Sequence, residues 1–445
     1  MNDTIAALST APFRSAIGIL RLSGPDALPV ALRVFHPRAR QIRPRTAHYG
    51  AMLVGGAKLD EGLLLYFPGP GSYTGEDVVE LNCHGSPGAL EAILEALYEN
   101  GARPAMPGEF TRRAFLAGKL DLTQAEAVID LIDSESAAAA KNAAAQLSGA
   151  LGRQVNAVRQ PLIDLAAHFS AVIDYPDDDI PDFLIPQALE TLRDAENTLS
   201  RLRDSFHQGS FLQNGVPVAI LGRPNVGKSS LANAITGRER SIVTEIAGTT
   251  RDIVEQTLRL DGIPILLQDT AGLREAADQV EAIGVDRARE AAREAALCLV
   301  VFDATQGVTD EDRETLASVG DRGLAVVNKV DAAAVPADMF PAEAVRVSAK
   351  TGEGLRALRR AISEKLRLMD IATDGSTVTN PRQAAALSRA AEAVSRAAEA
   401  LSMGITPDAV MLDVEEAAEI LGEITGQSAR EDILKTVFSR FCVGK

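Results

Sequence analysis

The sequence predicts a multidomain protein of mixed α+β and α/β class, in which the α/β domain is inserted into a helical one. Three observations carry this. At about 150 residues per domain, a chain of 445 residues has room for three cores. Residues 214–374 alternate short apolar runs with helical stretches, the rhythm of a mostly parallel sheet with helices on both faces. Residues 119–213 and 375–445, on either side, share an Ala-rich helical composition, so the α/β segment reads as an insertion.

Residues 1–118 mix β-like runs with turn punctuation: AIGILRLSG, HYGAMLVGG and GLLLYFPGPGSYTGEDVVELNCHG. One helix is expected from Gly88 to Tyr98, where Leu90, Ile93, Leu94 and Leu97 recur at helical spacing. The helical domain opens at Asp121, breaks at the acidic YPDDDIPDF, and resumes from about Gln187 to His207, stopping at GSFLQNG. Asp177, Asp178 and Asp179 in that break read as a solvated turn. The inserted domain offers strands VPVAILG, IPILLQD, ALCLVVFD, GLAVVN and VRVS, and three more helices follow from Asn380.

Composition narrows the function. Hydrophobic residues make up 46%, charged residues 24%, and mean hydropathy is +0.03, the balance of a soluble folded protein. A net charge of −16 argues against a broad basic face for nucleic acid. Three scattered cysteines, Cys83, Cys298 and Cys442, give no disulfide framework and no CxxC pair. With no signal-like N-terminus and no apolar run of about 18 residues, a cytoplasmic protein without a membrane span is expected.

Gly222-Arg-Pro-Asn-Val-Gly227-Lys228-Ser229 fits GxxxxGK[ST] between an apolar strand and a helix, the context the motif requires. The match arises by chance about once in a hundred chains of this length. Glycines let backbone amides turn toward a β-phosphate, Lys228 brings charge to the β and γ oxygens, and Ser229 offers a Mg²⁺ ligand. Asp269-Thr-Ala-Gly272 ends one strand, with its carboxylate near Mg²⁺ and a glycine amide near the γ-phosphate. Asn328-Lys329-Val-Asp331 ends another. The Asp331 carboxylate matches the paired N–H donors of guanine, which adenine lacks, and Ser348-Ala349-Lys350 closes over the guanine O6. Ile246-Ala-Gly-Thr-Thr-Arg-Asp252 supplies Thr250 as a switch residue toward Mg²⁺. GTP is therefore the expected substrate. Leu273 stands where many such enzymes carry the glutamine that orients water. The terminal Cys442-Val-Gly-Lys has the format of a prenylation box with unfavourable last residues.

The order of elements resembles the bacterial-type tRNA modification GTPases, the MnmE/TrmE family, of the potassium-activated, translation-factor branch of P-loop GTPases. The marks are GILRLSG, PGPGSYTGEDVVELNCHG, PGEFTRRAFLAGKLDLTQAEAV, GRPNVGKSSLANAI, IAGTTRD, DTAGLR, NKVD and FCVGK, spread over essentially the whole chain. The resemblance implies a folate-binding, dimerising N-terminal domain, a helical domain and an inserted GTPase domain. It implies GTP contacts along Asn225, Val226, Gly227, Lys228, Ser229 and Ser230. Further contacts run along Thr244, Glu245, Ile246, Ala247, Gly248, Thr249 and Thr250, and along Asp269, Thr270, Ala271 and Gly272. Asn328, Lys329, Asp331, Ser348, Ala349 and Lys350 complete the set. It implies K⁺ held by Asn225, Thr244, Ile246 and Thr249, with main-chain carbonyls serving at Thr244 and Ile246, and Mg²⁺ held by Ser229 and Thr250. Glu281 would position water through a second water, and Lys228 and Thr250 would act in hydrolysis. A 5-formyl- or methylene-tetrahydrofolate would sit on Arg21, Glu80, Lys119 and Lys445, near a reactive Cys442. An FAD-dependent partner would join the homodimer to install an aminomethyl or carboxymethylaminomethyl group on C5 of a tRNA wobble uridine. The terminal motif has Val443 where isoleucine is common, and Val226 replaces a small residue. The competing reading is a regulatory GTPase that binds an effector or the ribosome and does no modification chemistry.

Overall fold

The computed structural model describes residues 3–174, 185–237, 255–269, 291–332, 336–368 and 371–445. They divide into two compact units, one of Met1–Ile129, Gln146–Leu199 and Ala386–Lys445, the other of Asp130–Ala145 and Ser200–Ala385.

The first unit is built on a seven-stranded sheet of order β3-β4-β5-β6-β2-β1-β7. Its strands are β1 (Ile5–Leu8), β2 (Ser15–Ser23), β3 (Phe35–Pro37), β4 (His48–Val54), β5 (Ala57–Phe67), β6 (Val78–Gly85) and β7 (Arg103–Pro104). Neighbours run antiparallel except β1 and β7. The expected helix is present as Pro87–Glu99, with Leu90, Ile93 and Leu97 buried and Leu94 packed beside them. Proline at its first position fits an N–H that no turn would use. Helices Ala150–Asp174 and Pro407–Thr425 pack against each other, and Glu431–Ser439 leads to the terminal strip.

The second unit carries a six-stranded sheet of order β13-β12-β11-β8-β10-β9. Its strands are β8 (Val216–Leu221), β9 (Glu255–Leu260), β10 (Ile263–Asp269), β11 (Leu297–Asp303), β12 (Gly323–Asn328) and β13 (Val345–Arg346). All pairs are parallel except β9 with β10. Every residue of β11 is buried, as a central strand covered on both faces requires. The five strands read from the sequence are all present, and β9 is an added edge strand. The helix expected to stop at GSFLQNG instead runs from Ile185 to Asn214. A Cβ on Gly209 would lie 1.9 Å from the Val378 carbonyl oxygen, so this glycine permits a close approach and does not end the helix.

Candidate functional site

The nucleotide motifs gather at the carboxyl ends of β8, β11 and β12, where a parallel sheet places ligands. After β8 the chain turns through Gly222 at φ +137° and Asn225 at φ +64°, then enters helix Lys228–Thr236 from Gly227 at φ +94°. A Cβ on Gly227 would stand 2.5 Å from Asn328 Nδ2, so conformation and space both demand glycine. The Lys228 ammonium donates to the carbonyls of Gly222 (2.7 Å) and Arg223 (2.9 Å) and so holds the loop's curvature. Ser229 and Ser230 are exposed in the first turn of the helix, and Val226 is buried.

The guanine-side motifs are tied to this loop. Buried Asn328 donates from Nδ2 to the Val226 carbonyl at 2.9 Å and accepts at Oδ1 from the Ala349 amide at 3.0 Å. Lys329, at φ +64°, donates to the Asn225 carbonyl (2.6 Å) and to Asp303 Oδ2 (2.7 Å). Ser348 donates to Asp331 Oδ1 at 2.6 Å and accepts from the Thr351 amide, leaving the Asp331 side chain exposed and oriented. Ala349 is half-buried and Lys350 exposed beside it. The arrangement presents backbone amides and an ammonium to an anion, and a fixed carboxylate to a paired N–H donor.

Two members of this site escape the sequence reading. Asp303, fully buried at the end of β11, would have its pKa raised by burial, but Lys329 and the hydroxyl and amide of Thr305 outweigh this and hold it below the usual range. Arg223 reaches across to buried Asp312 at 3.0 Å, fixing the P-loop against the capping box of helix Asp310–Val319. A carboxylate closing the run VVFD was the available signal for the first.

Thr244, Glu245, Ile246, Ala247, Gly248, Thr249, Thr250, Thr270, Ala271, Gly272 and Glu281 lie outside the described residues, as do Asp177, Asp178 and Asp179. For Asp269 the main chain is described: it ends β10 in register with Ile220 of β8. Of the residues implied for K⁺, Asn225 is described, with an exposed side chain on a pinned backbone. Of those implied for Mg²⁺, Ser229 is described. Both suit a cation held beside a phosphate.

Of the second set, Arg21, Glu80 and Lys445 meet in the first unit. Arg21 of β2 faces Glu80 of β6 in register, with Nε and Nη2 at 2.9 and 2.8 Å from one carboxylate oxygen. The chain terminus joins them. Val443 pairs with Pro107 as an antiparallel bridge, Lys445 O accepts from the Phe110 amide, and Ser9 Oγ donates to Gly444 O. Gly444 sits at φ +99°, and a Cβ there would lie 2.2 Å from Leu8 O, so the strip docks only with glycine. Lys445 has its pKa lowered by burial and by Arg21, against the pull of Glu80. Lys119 is exposed, and a Cβ added at Gly75 of the PGPGSYTGED loop would lie 3.6 Å from its Cε. Phe110 lies under the Arg21 guanidinium at 5.8 Å, and Tyr73 bonds Thr111 at 3.0 Å. An acid beside two cations, with Tyr73 the exposed ring of the two, fits a heterocycle bearing carboxylates. Of the three cysteines only Cys442 is exposed; burial pushes the Cys83 thiol up to about 12 and raises Cys298. Among the described residues no group of acids, histidines and cysteines could hold a metal by itself, and no helix is long and apolar enough to cross a membrane.

Comparisons with known proteins extend over the same residues. The family described as "MnmE helical domain" matches residues 122–442, and "GTP-binding protein TrmE N-terminus" matches residues 4–119. The tRNA modification GTPase MnmE of Aquifex aeolicus is 43% identical over 450 residues, covering 100% of both chains. Its counterpart in Chloroflexus aurantiacus is 45% identical over 455 residues, again covering 100% of each. Among solved structures, the G domain of the T. maritima FeoB iron transporter matches 34% of this chain and 98% of its own, at 27% identity and a TM-score of 0.26. Full-length identity above 40% with these relatives, together with the helical-domain match over most of the chain, places the chain in the MnmE family of tRNA modification GTPases.

Proposed function

We propose that the chain is a K⁺-dependent GTP hydrolase that, with a flavoprotein partner, modifies C5 of the wobble uridine at position 34 of certain tRNAs. The product is an aminomethyl or carboxymethylaminomethyl group drawn from a tetrahydrofolate one-carbon unit. The observation that carries the GTP reading is the Asn328 side chain, which joins the P-loop to the loop bearing Ser348 and Ala349 beside an oriented Asp331.

In this reading Lys228 orients the β and γ phosphates, Asp331 selects guanine, and Ser348, Ala349 and Lys350 close over the base edge. Ser229 and Thr250 would hold Mg²⁺, and Asn225, Thr244, Ile246 and Thr249 would hold K⁺. When bound, these cations neutralise the charge that develops on the phosphates, as an arginine finger does elsewhere. Glu281 would position the attacking water. At the other site Arg21, Lys119 and Lys445 would meet folate carboxylates, Glu80 the pterin amide edge, and Cys442 would serve the modification step.

The proposed domains are 1–118 for folate binding and dimerisation, 119–213 with 375–445 for the helical domain, and 214–374 for the GTPase. A cytoplasmic homodimer is proposed, with the flavoprotein supplying most of the tRNA affinity, in keeping with a net charge of −16.

Hydrolysis of GTP in equal concentrations of KCl and NaCl tests the reading. The rate in NaCl should be at least about tenfold lower, since a finger-type charge is worth up to about 10³–10⁵. Asn225→Ala should abolish the preference. Equal rates in the two salts would overturn K⁺ dependence.

A further inference from the structure

In a chain where 61 of 445 residues are acidic, the 33 residues from Ala27 to Leu59 contain none and contain six basic residues. Four of these, Arg38, Arg40, Arg43 and Arg45, are exposed within eight positions on the connection between β3 and β4. The connection is built. The Arg38 amide donates to Tyr49 O at 3.0 Å, the Arg43 amide to the buried His48 Nε2 at 2.9 Å, and the Arg45 amide to Tyr66 O at 2.8 Å. Half-buried Ile42 packs into the sheet's core between them, and Arg45 is held at φ +55°. A non-glycine residue stays in that region only where its surroundings fix it.

The side chains are differently placed. Arg38 lies 3.6 Å from Glu61 and stacks over Tyr49 at 4.7 Å, and Arg45 donates to Gly71 O. Among the described residues, Arg40 and Arg43 form no ion pair with an acidic side chain. A fixed backbone thus presents guanidinium groups whose forks suit phosphate oxygens, at little ordering cost to the main chain. No large apolar side chain is exposed between residues 38 and 47, so the loop has nothing to insert into a bilayer and no apolar centre for a protein interface.

We propose that this arginine loop docks the phosphate backbone of RNA, and that tRNA is its ligand; the identity of the RNA rests on the function proposed above. The contact is electrostatic and indifferent to base sequence, which reconciles a local basic surface with an acidic chain.

The test is tRNA binding by the full chain from about 20 to 200 mM salt, comparing wild type with Arg40→Gln/Arg43→Gln. Loss of two phosphate contacts should flatten the dependence of log affinity on log salt by about 1.5 and lower affinity about tenfold at the low end. Arg40→Lys/Arg43→Lys should keep the slope, and GTP hydrolysis should be unchanged in both. An unchanged slope in the glutamine variant, or no tRNA binding by wild type at low salt, overturns the proposal. So does loss of the flavoprotein partner, or of binding to phosphatidylglycerol vesicles, with tRNA binding intact. A Lys228→Ala strain that loses modified uridine while the loop variant binds normally would sink the docking surface alone. A Lys228→Ala strain with unchanged tRNA would sink the reading beneath it.

Discussion

Asn328 and Val226 are joined by a buried hydrogen bond of 2.9 Å, and the oxygen of the same Asn328 side chain accepts from the Ala349 amide at 3.0 Å. One side chain therefore sets the spacing between the phosphate-binding and base-binding loops. Asn328→Ala leaves a buried carbonyl and an amide unpaired, at about 1–3 kcal/mol for each. GTP and GDP affinity should fall at least about tenfold, read by fluorescent nucleotide titration, while the chain keeps its fold by circular dichroism. Wild-type affinity in this variant would show that the tether is idle.

Asp331 is oriented by Ser348 at 2.6 Å and should decide the base. Asp331→Asn replaces an acceptor pair with a donor and an acceptor, which suits xanthine better than guanine. The ratio of kcat/KM for GTP over XTP should drop by about 10² or more. An unaltered ratio would mean that guanine is read elsewhere.

Glu109, 5% exposed, accepts from Arg103 at 2.6 and 2.9 Å, from the Met106 amide at 2.9 Å and from Arg113 at 3.0 Å. Burial alone would raise its pKa, but these donors together hold it at about 2, against an ordinary 4.5. A depressed carboxylate stabilises the fold fully above its unfolded pKa, so its contribution, up to about 3 kcal/mol, is lost as pH falls from 4.5 toward 2. Urea midpoints of wild type and Glu109→Gln should differ at pH 7 and converge across that window. A constant gap would contradict the assignment.

What could be read from the sequence follows from contiguity. GRPNVGKS, NKVD and SAK each concentrate their chemistry in a few residues, and the strands feeding them are uniformly apolar. Asp303 with Lys329 and Arg223 with Asp312 lie 26 and 89 residues apart, so the pairing exists only once parallel strands bring the loops together. The docking of Val443 on Pro107 joins residues 336 positions apart, and only the family resemblance, which set Lys445 and Cys442 by the folate pocket, brought the terminus there. Gly209 misled for a related reason: its partner Val378 is supplied by a distant segment.

The terminal strip gives a structural test of the second site. Gly444→Ala places a Cβ against Leu8 O and should free the strip, moving Lys445 away from Arg21 and Glu80. Folate binding should weaken about tenfold or more with GTP hydrolysis intact. Unchanged folate affinity would separate the strip from the Arg21–Glu80 pair.

The central proposal is that the GTP switch and the terminal cysteine serve one tRNA modification. Nucleoside mass spectrometry of bulk tRNA from cells carrying Cys442→Ser or Lys228→Ala, beside wild type, tests it most directly. Loss of the 5-substituted wobble uridine in both strains is the expected result. Unchanged tRNA in both would contradict the account and favour a regulatory GTPase without modification chemistry.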